Sequence, residues 1–74
     1  MMVSGDDMYF KRLSYMRIDH DMTQRDVAEY LYMNLQVYRR YEKGEREIPV
    51  GALIKLAQLY GVSTDYLLEL KDTP

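Results

Sequence analysis

Apolar residues recur at intervals of three and four along most of the chain, with polar residues between them. Tyr9, Leu13 and Met16 show this spacing in the N-terminal part. The period places apolar side chains on one face of a helix, whereas a half-buried strand needs strict alternation, which no segment has. The pattern predicts an all-α chain of five short helices, the first from about 8 to an end at 19–21 and the others at about 24–31, 35–42, 50–60 and 64–70.

Cap-forming residues stand at the predicted helix ends. Thr23 is an N-cap candidate, since its hydroxyl can accept a hydrogen bond from the backbone N–H of Asp26. The other boundary signals are the N-cap candidates Asn34 and Ser63, Pro49 before helix four, and Gly44 and Gly61 after helices three and four.

The length of 74 residues predicts one small domain. We expect a flexible N-terminus at 1–7, a helical domain at 8–70 and a C-terminal tail at 71–74. The chain has no cysteine, which excludes a disulfide framework and a thiolate metal site. No apolar run approaches the roughly 18 residues of a membrane span, and the N-terminus lacks a signal-peptide pattern. These features favour a cytoplasmic protein that does not enter the membrane.

No motif in the sequence predicts catalysis or a bound cofactor. There is no HExxH metal motif and no glycine loop that could cradle a phosphate. His20 lies between Asp19 and Asp21, an arrangement that is compatible with a metal site. A single histidine at a helix end is more often a surface residue that interacts with the helix C-terminus. We therefore expect a protein that is not an enzyme, with no metal and no cofactor.

Helices two and three are separated by only the three residues "YMN" at 32–34. So short a link between amphipathic helices predicts a sharp corner, as in a helix-turn-helix. Ala28 supports this interpretation, because a small residue on helix two allows helix three to approach closely. In the version that reads DNA, the second helix inserts its N-terminal residues into the major groove.

The span from Arg12 to Leu68 resembles the Cro/C1-type helix-turn-helix family, also called the Xre family. The matching elements are Leu13, Met16, Arg17, "TQRDVAEYL", "YRRYEKG", Pro49, "LIKLAQLYGVS" and "DYLL". The resemblance implies a five-helix lambda-repressor-like domain and a sequence-specific transcriptional regulator, such as a repressor, that binds double-stranded DNA. It also implies a homodimer on a pseudo-palindromic operator.

The resemblance further implies which residues face the DNA bases. Five residues fall on groove-facing positions: Asn34, Leu35, Gln36, Arg39 and Arg40. Gln36 could pair with adenine and Arg40 with guanine, each through two hydrogen bonds. Arg39 could read a base or hold a phosphate, and Leu35 could contact only a thymine methyl group or a neighbouring residue.

Other positions imply backbone contacts and a structural ion pair. Gln24, at the start of helix two, would contact a phosphate and brace helix three. Lys43 and Arg46 would contact the DNA backbone, which fixes register without reading sequence. Arg17 and Glu42 match a pair that joins helix one to helix three in the family.

The positive charge of this segment is local, since the whole chain has a net charge of −2. With Glu42 paired to Arg17, the remaining basic groups converge around helix three. The alternative is that Arg39 and Arg40 merely form a solvated helix face. The eight tyrosines could form a stacking surface for single-stranded nucleic acid, but most have core spacing, which favours packing.

Helix five has apolar residues on more than one side, which suggests a dimer interface. The candidates are Val62, Tyr66, Leu67 and Leu70. The alternative is that all four serve the monomer core. A second hypothesis for function is an antitoxin or another protein-interaction module on the same scaffold, in which helix five or the N-terminal end binds a protein partner.

Tyr32 stands where the family usually has glycine, because the corner favours a positive φ. Asp21 is a second such position, and aspartate tolerates the left-handed region better than tyrosine does. Either Tyr32 accepts backbone strain, or the corner between helices two and three is reshaped.

Overall fold

The computed structural model describes residues 9–74. Five helices lie in this part of the chain: α1 (Lys11–Asp19), α2 (Gln24–Tyr30), α3 (Leu35–Lys43), α4 (Val50–Tyr60) and α5 (Thr64–Leu67). The predicted all-α, five-helix fold is confirmed. The predicted flexible segment at 1–7 lies outside the described residues. None of these helices is long and apolar enough to cross a membrane.

Each helix contributes a fully buried side chain to one shared core. These side chains are Leu13, Val27, Tyr38, Leu56 and Leu67, in the order of the helices. Val27 and Ala28 of α2 and its C-cap residue Leu31 are buried, whereas Ile54 of α4 is exposed. The core therefore takes one face of each helix and fixes the outward direction of the opposite face.

The helix starts follow from side chains that cap free backbone N–H groups. Thr23 Oγ1 accepts from the backbone N–H of Asp26 at 3.0 Å, and the Asp26 carboxylate accepts in return from Thr23 N–H at 2.9 Å. Asn34 Oδ1 accepts from the N–H of Gln36 at 2.7 Å, and Ser63 caps α5 in the same manner. The predicted N-caps of α2, α3 and α5 are thus in place.

The corner between α2 and α3 is a tight turn with a left-handed residue. Tyr32 has φ +55° and donates its N–H to Glu29 O at 3.1 Å, while Met33 N–H donates to Ala28 O at 2.9 Å. Asp21, in the turn between α1 and α2, has φ +56°. Of the two alternatives for Tyr32, the structure shows the strained one, in which the tyrosine adopts the glycine-like conformation.

Two predicted helix boundaries were wrong. The first helix was predicted from Met8, but α1 begins at Lys11, because Phe10 is extended at φ −111° and serves as a cap without a side-chain hydrogen bond. The fifth helix was predicted to reach Leu70, but α5 ends at Leu67. Glu69 adopts φ +63°, and the N–H of Leu70 turns back to donate to Asp65 O at 2.8 Å.

Candidate nucleic-acid interface

The outer face of α3 carries four exposed polar or basic side chains at helical spacing. They are Gln36, Arg39, Arg40 and Lys43. Residues three and four apart lie on the same side of a helix, so these four form one continuous surface. Within residues 9–74, the side chains of Gln36, Arg40 and Lys43 have no hydrogen-bond or ion-pair partner. We call these four residues the α3 outer face.

The inner face of α3 is held by a buried carboxylate. Glu42 is only 6% exposed. Its two oxygens accept from Arg17 Nε at 2.7 Å, Arg17 Nη2 at 3.3 Å, Tyr38 Oη at 2.6 Å and Gln24 Nε2 at 3.0 Å. Donors from α1, α2 and α3 therefore converge on one side chain and fix the rotation of α3 about its axis.

Each member of the Arg17–Glu42 ion pair also has hydrogen-bond partners outside the pair. Arg17 also donates from Nη1 to Met22 O at 2.9 Å. The hydrogen bond to Glu42 raises the pKa of Arg17 above its ordinary value. Removal of either partner would leave an uncompensated buried charge, which costs about 3–5 kcal/mol. The pair thus orients α3, and all three side-chain nitrogens of Arg17 donate to these internal partners.

Two tyrosines complete the buried surroundings of Glu42. Burial, followed by the hydrogen bond to Glu42, raises the pKa of Tyr38, so its hydroxyl remains a donor. Burial raises the pKa of Tyr60 to about 12. The Tyr60 hydroxyl is buried and has no hydrogen-bond partner in the part of the chain that the structure describes. Both phenols thus remain protonated at neutral pH.

His20 is an exposed residue at the end of α1 whose ring contacts Tyr60. Its ring lies 5.0 Å from that of Tyr60, and its Nδ1 is 2.9 Å from Met16 O. No group of histidine, aspartate and glutamate side chains within residues 9–74 could hold a metal ion. The structure therefore gives His20 a local structural role.

The remaining sequence-predicted contact residues lie around the α3 outer face, and they differ in exposure and in their hydrogen bonds to other residues. Asn34 is exposed, but its side-chain oxygen is used as the cap of α3. Leu35 is half-buried and packs against the core. Arg46 is exposed beyond the end of α3. Gln24 is half-buried and connects to Arg39, since Arg39 Nε donates to Gln24 Oε1 at 3.1 Å.

The four residues predicted at a dimer interface have different environments. Leu67 is fully buried and belongs to the monomer core, so its side chain offers no surface to a partner. Tyr66 is half-buried, and the guanidinium carbon of Arg12 lies 4.1 Å from its ring centroid. Val62 is half-buried, whereas Leu70 is 70% exposed.

Sequence reasoning missed the role of Arg12. Arg12 Nη1 donates to Tyr66 O at 2.9 Å and to Lys71 O at 2.6 Å, and Nη2 lies 3.6 Å from an Asp72 carboxylate oxygen. These contacts join α1 to α5 and to the residues that follow it. A lone arginine in an amphipathic helix carries no signal for partners more than 50 positions away, so only the three-dimensional structure reveals them.

The paired helices, the tight corner and the basic α3 outer face are those of a helix-turn-helix domain. A family model described as helix-turn-helix matches residues 13–67. The chain belongs to the Cro/C1-type helix-turn-helix family, which consists of DNA-binding transcriptional regulators and not of enzymes.

Three relatives from Bacillus subtilis (strain 168) show the similarity of this chain to named regulators. The uncharacterized HTH-type transcriptional regulator YobD is 39% identical over 67 residues, which cover 90% of this chain and 60% of YobD. The SPbeta prophage-derived uncharacterized HTH-type transcriptional regulator YonR is 37% identical over 62 residues, or 84% of this chain and 57% of YonR. The HTH-type transcriptional regulator ImmR is 41% identical over 58 residues, or 78% of this chain and 46% of ImmR. The chain therefore spans about half the length of these relatives.

Proposed function

We propose that this chain binds double-stranded DNA with sequence specificity and acts as a transcriptional regulator, with α3 in the major groove. The observation that carries the proposal is the α3 outer face. Gln36, Arg40 and Lys43 point away from the core and have no internal partner within residues 9–74, although the buried face of the same helix is rigidly anchored. Unpaired donors on a fixed helix are what recognition of base edges and phosphates requires.

Gln36 and Arg40 are the proposed base-reading residues. They lie one helical turn apart and are both exposed. A glutamine amide can pair with adenine and an arginine with guanine through two hydrogen bonds each. Asn34 and Leu35 lie at the N-terminal end of the same helix, where a base edge or a thymine methyl group would be within reach.

Lys43 and Arg46 are proposed to contact the DNA backbone. Lys43 and Arg46 lie at and beyond the C-terminal end of α3, and both are exposed. Contacts of this kind add affinity that falls with salt concentration, because each neutralised phosphate releases counterions. Because the whole chain has a net charge of −2, we expect its non-specific affinity for DNA to be modest.

The test is selection of bound duplexes from a random pool, followed by affinity measurements on the selected duplex at several salt concentrations. We expect Gln36→Ala and Arg40→Ala each to weaken binding by about 1–3 kcal/mol and to relax base preference at one position. Lys43→Ala should weaken all duplexes alike and reduce the salt slope by about 1. Glu29→Gln, an exposed change on α2, is the control for general effects on the surface.

The absence of any preferred duplex at low salt would overturn the proposal and favour a protein-interaction module on this scaffold. A selected duplex whose base preferences are unchanged by Gln36→Ala would remove Gln36 from the reading residues and leave DNA binding in place.

A further inference from the structure

Arg39 differs from its neighbours on the α3 outer face because its guanidinium is held before any ligand binds. Its Nε donates to Gln24 Oε1 at 3.1 Å, whereas the adjacent Arg40 side chain has no partner among the described residues. The two arginines are adjacent in the sequence, and both are exposed. The difference between them therefore comes from Gln24.

Gln24 is itself held in one orientation. Its Nε2 donates to Glu42 Oε1 at 3.0 Å while its Oε1 accepts from Arg39. A flipped amide would place its NH₂ group against a guanidinium N–H and its oxygen against a carboxylate, so neither hydrogen bond could form. The amide thus transmits the fixed position of the buried carboxylate to the exposed arginine.

We infer that Gln24 is a positioning residue that presents Arg39 to DNA. The inference rests on the proposed function, in which the α3 outer face enters the major groove. Because Nε of Arg39 is already used, its two terminal nitrogens are left to donate outward to a phosphate or a base edge. Ordering a long side chain at an interface has an entropic cost, and a side chain that is ordered in the free protein avoids part of that cost.

A direct phosphate contact by Gln24 would make a different prediction from positioning. If Gln24 acts through Arg39, removal of the Gln24 amide has no effect once the Arg39 side chain is gone. If Gln24 binds DNA on its own, the two losses add, as they do for independent sites. A double-mutant cycle on DNA affinity distinguishes the two.

The cycle uses the full chain, the selected duplex and the variants Gln24→Met, Arg39→Ala and their combination. Gln24→Met keeps the length and flexibility of the side chain but removes its hydrogen bonds. We expect it to weaken binding about 2- to 12-fold, the range for losing the ordering of one long side chain. In the Arg39→Ala background the same change should have no further effect. Arg40→Ala is the matched control background, in which the full loss should persist.

An equal loss from Gln24→Met in all three backgrounds would overturn the inference while leaving DNA binding intact. A wild-type chain that selects no duplex would instead overturn the proposed function. The two failures are therefore distinguishable.

A second measurement needs no DNA and covers the case in which Gln24→Met unfolds the chain. Nitrogen-15 relaxation of the Arg39 and Arg40 Nε–H groups reports the order of each guanidinium in the free protein. We expect Arg39 to be clearly more ordered than Arg40 in the wild type, and the difference to vanish in a folded Gln24→Met variant. Equal mobility of the two groups in the wild type would overturn the inference.

Discussion

Tyr32 adopts a backbone conformation that tyrosine disfavours, and its side chain makes few contacts in compensation. Its φ is +55°, and the residue is 90% exposed. The Lys55 ammonium lies 5.7 Å from the ring centroid, close to the outer limit of about 6 Å for a cation–π interaction. The strain, about 1–3 kcal/mol for a residue of this kind, is therefore not offset locally. The close packing of α2 against α3 imposes the corner.

Tyr32→Gly should stabilise the fold. Glycine removes strain of about 1–3 kcal/mol and has an entropic cost of about 0.5–1 kcal/mol, so we expect a net gain of up to about 2.5 kcal/mol in the free energy of unfolding. Urea denaturation measures it. Asp21→Gly is the matched control, because Asp21 has nearly the same φ of +56° but aspartate tolerates that region better, and its gain should be smaller. A loss of stability in Tyr32→Gly would show that the ring contributes more than its exposure indicates.

At the scale of the helices, boundaries were predictable wherever a side chain or glycine acts on its own backbone. Thr23 and Asn34 cap α2 and α3 as predicted, and Gly44 and Gly61 adopt the left-handed conformation after α3 and α4. The end of α5 was not predictable, because Glu69 takes φ +63° where no glycine signals a stop. Glu69 lies near α1, with its carboxylate 3.8 Å from Lys11 Nζ, and local sequence carries no signal for such a distant contact.

The capping box of α2 makes stability depend on pH in the acid range. Hydrogen bonds from the Thr23 backbone and, secondarily, its side chain hold the pKa of Asp26 below its ordinary value of 3.8. A lowered folded-state pKa gives stability that is fully present above the unfolded-state pKa and is lost as pH falls through the folded-state pKa.

We therefore expect the stability difference between wild type and Asp26→Asn to be constant near neutral pH and to shrink below about pH 4. Urea unfolding at a series of pH values measures the difference. Glu29→Gln on the same helix is the control, because the Glu29 carboxylate has no hydrogen-bond or ion-pair partner within residues 9–74. A difference that grows on acidification would contradict the capping-box account.

The glycines that end α3 and α4 are not equivalent. Gly44 has φ +77°, and a Cβ added there would lie 2.8 Å from Tyr9 Cβ and 2.9 Å from Tyr9 Cα. Gly61 has φ +69°, but an added Cβ would meet nothing within 4 Å. At Gly61, glycine is therefore favoured only by the positive φ. At Gly44, glycine also allows the chain before α1 to approach the end of α3.

Gly61→Ala should lower the free energy of unfolding by about 1–2 kcal/mol through strain alone. Gly44→Ala should lower it by about 1–3 kcal/mol more, since part of the overlap is with backbone, which cannot rotate away. Denaturant midpoints with unchanged slopes measure both changes. Equal losses would mean that the contact with Tyr9 is readily relieved.

At the scale of the whole molecule, the helix-turn-helix could be predicted from sequence, but the hydrogen-bond network among its side chains could not. Periodicity and the short link at 32–34 predict two packed helices with a basic outer face. The hydrogen bonds that run from Glu42 through Gln24 to Arg39 join residues separated by up to 18 positions. Such a chain depends on side-chain rotamers in the folded protein, and no spacing rule in the sequence identifies it.

The homodimer that the family resemblance implies would require an apolar surface that the monomer core leaves free. With Leu67 in the core and Tyr66 beneath Arg12, Leu70 is the exposed apolar residue among the four that sequence analysis suggested. In a two-fold symmetric pair each chain contributes the same residue, so one substitution alters the interface twice. The recognition helices would then lie about 34 Å apart, one turn of B-DNA.

Leu70→Lys should therefore weaken the complex of two chains on a duplex with two half-sites by at least about 100-fold, since about 1.5–3 kcal/mol of apolar burial is lost in each chain. Binding to a single half-site should be unchanged. Val50→Lys is the matched control, because Val50 is also 70% exposed but lies at the start of α4. Sedimentation of the protein–duplex complexes gives the number of chains bound. A wild-type chain that saturates its selected duplex as a single copy would contradict the dimer, and equal losses in both variants would place the interface elsewhere.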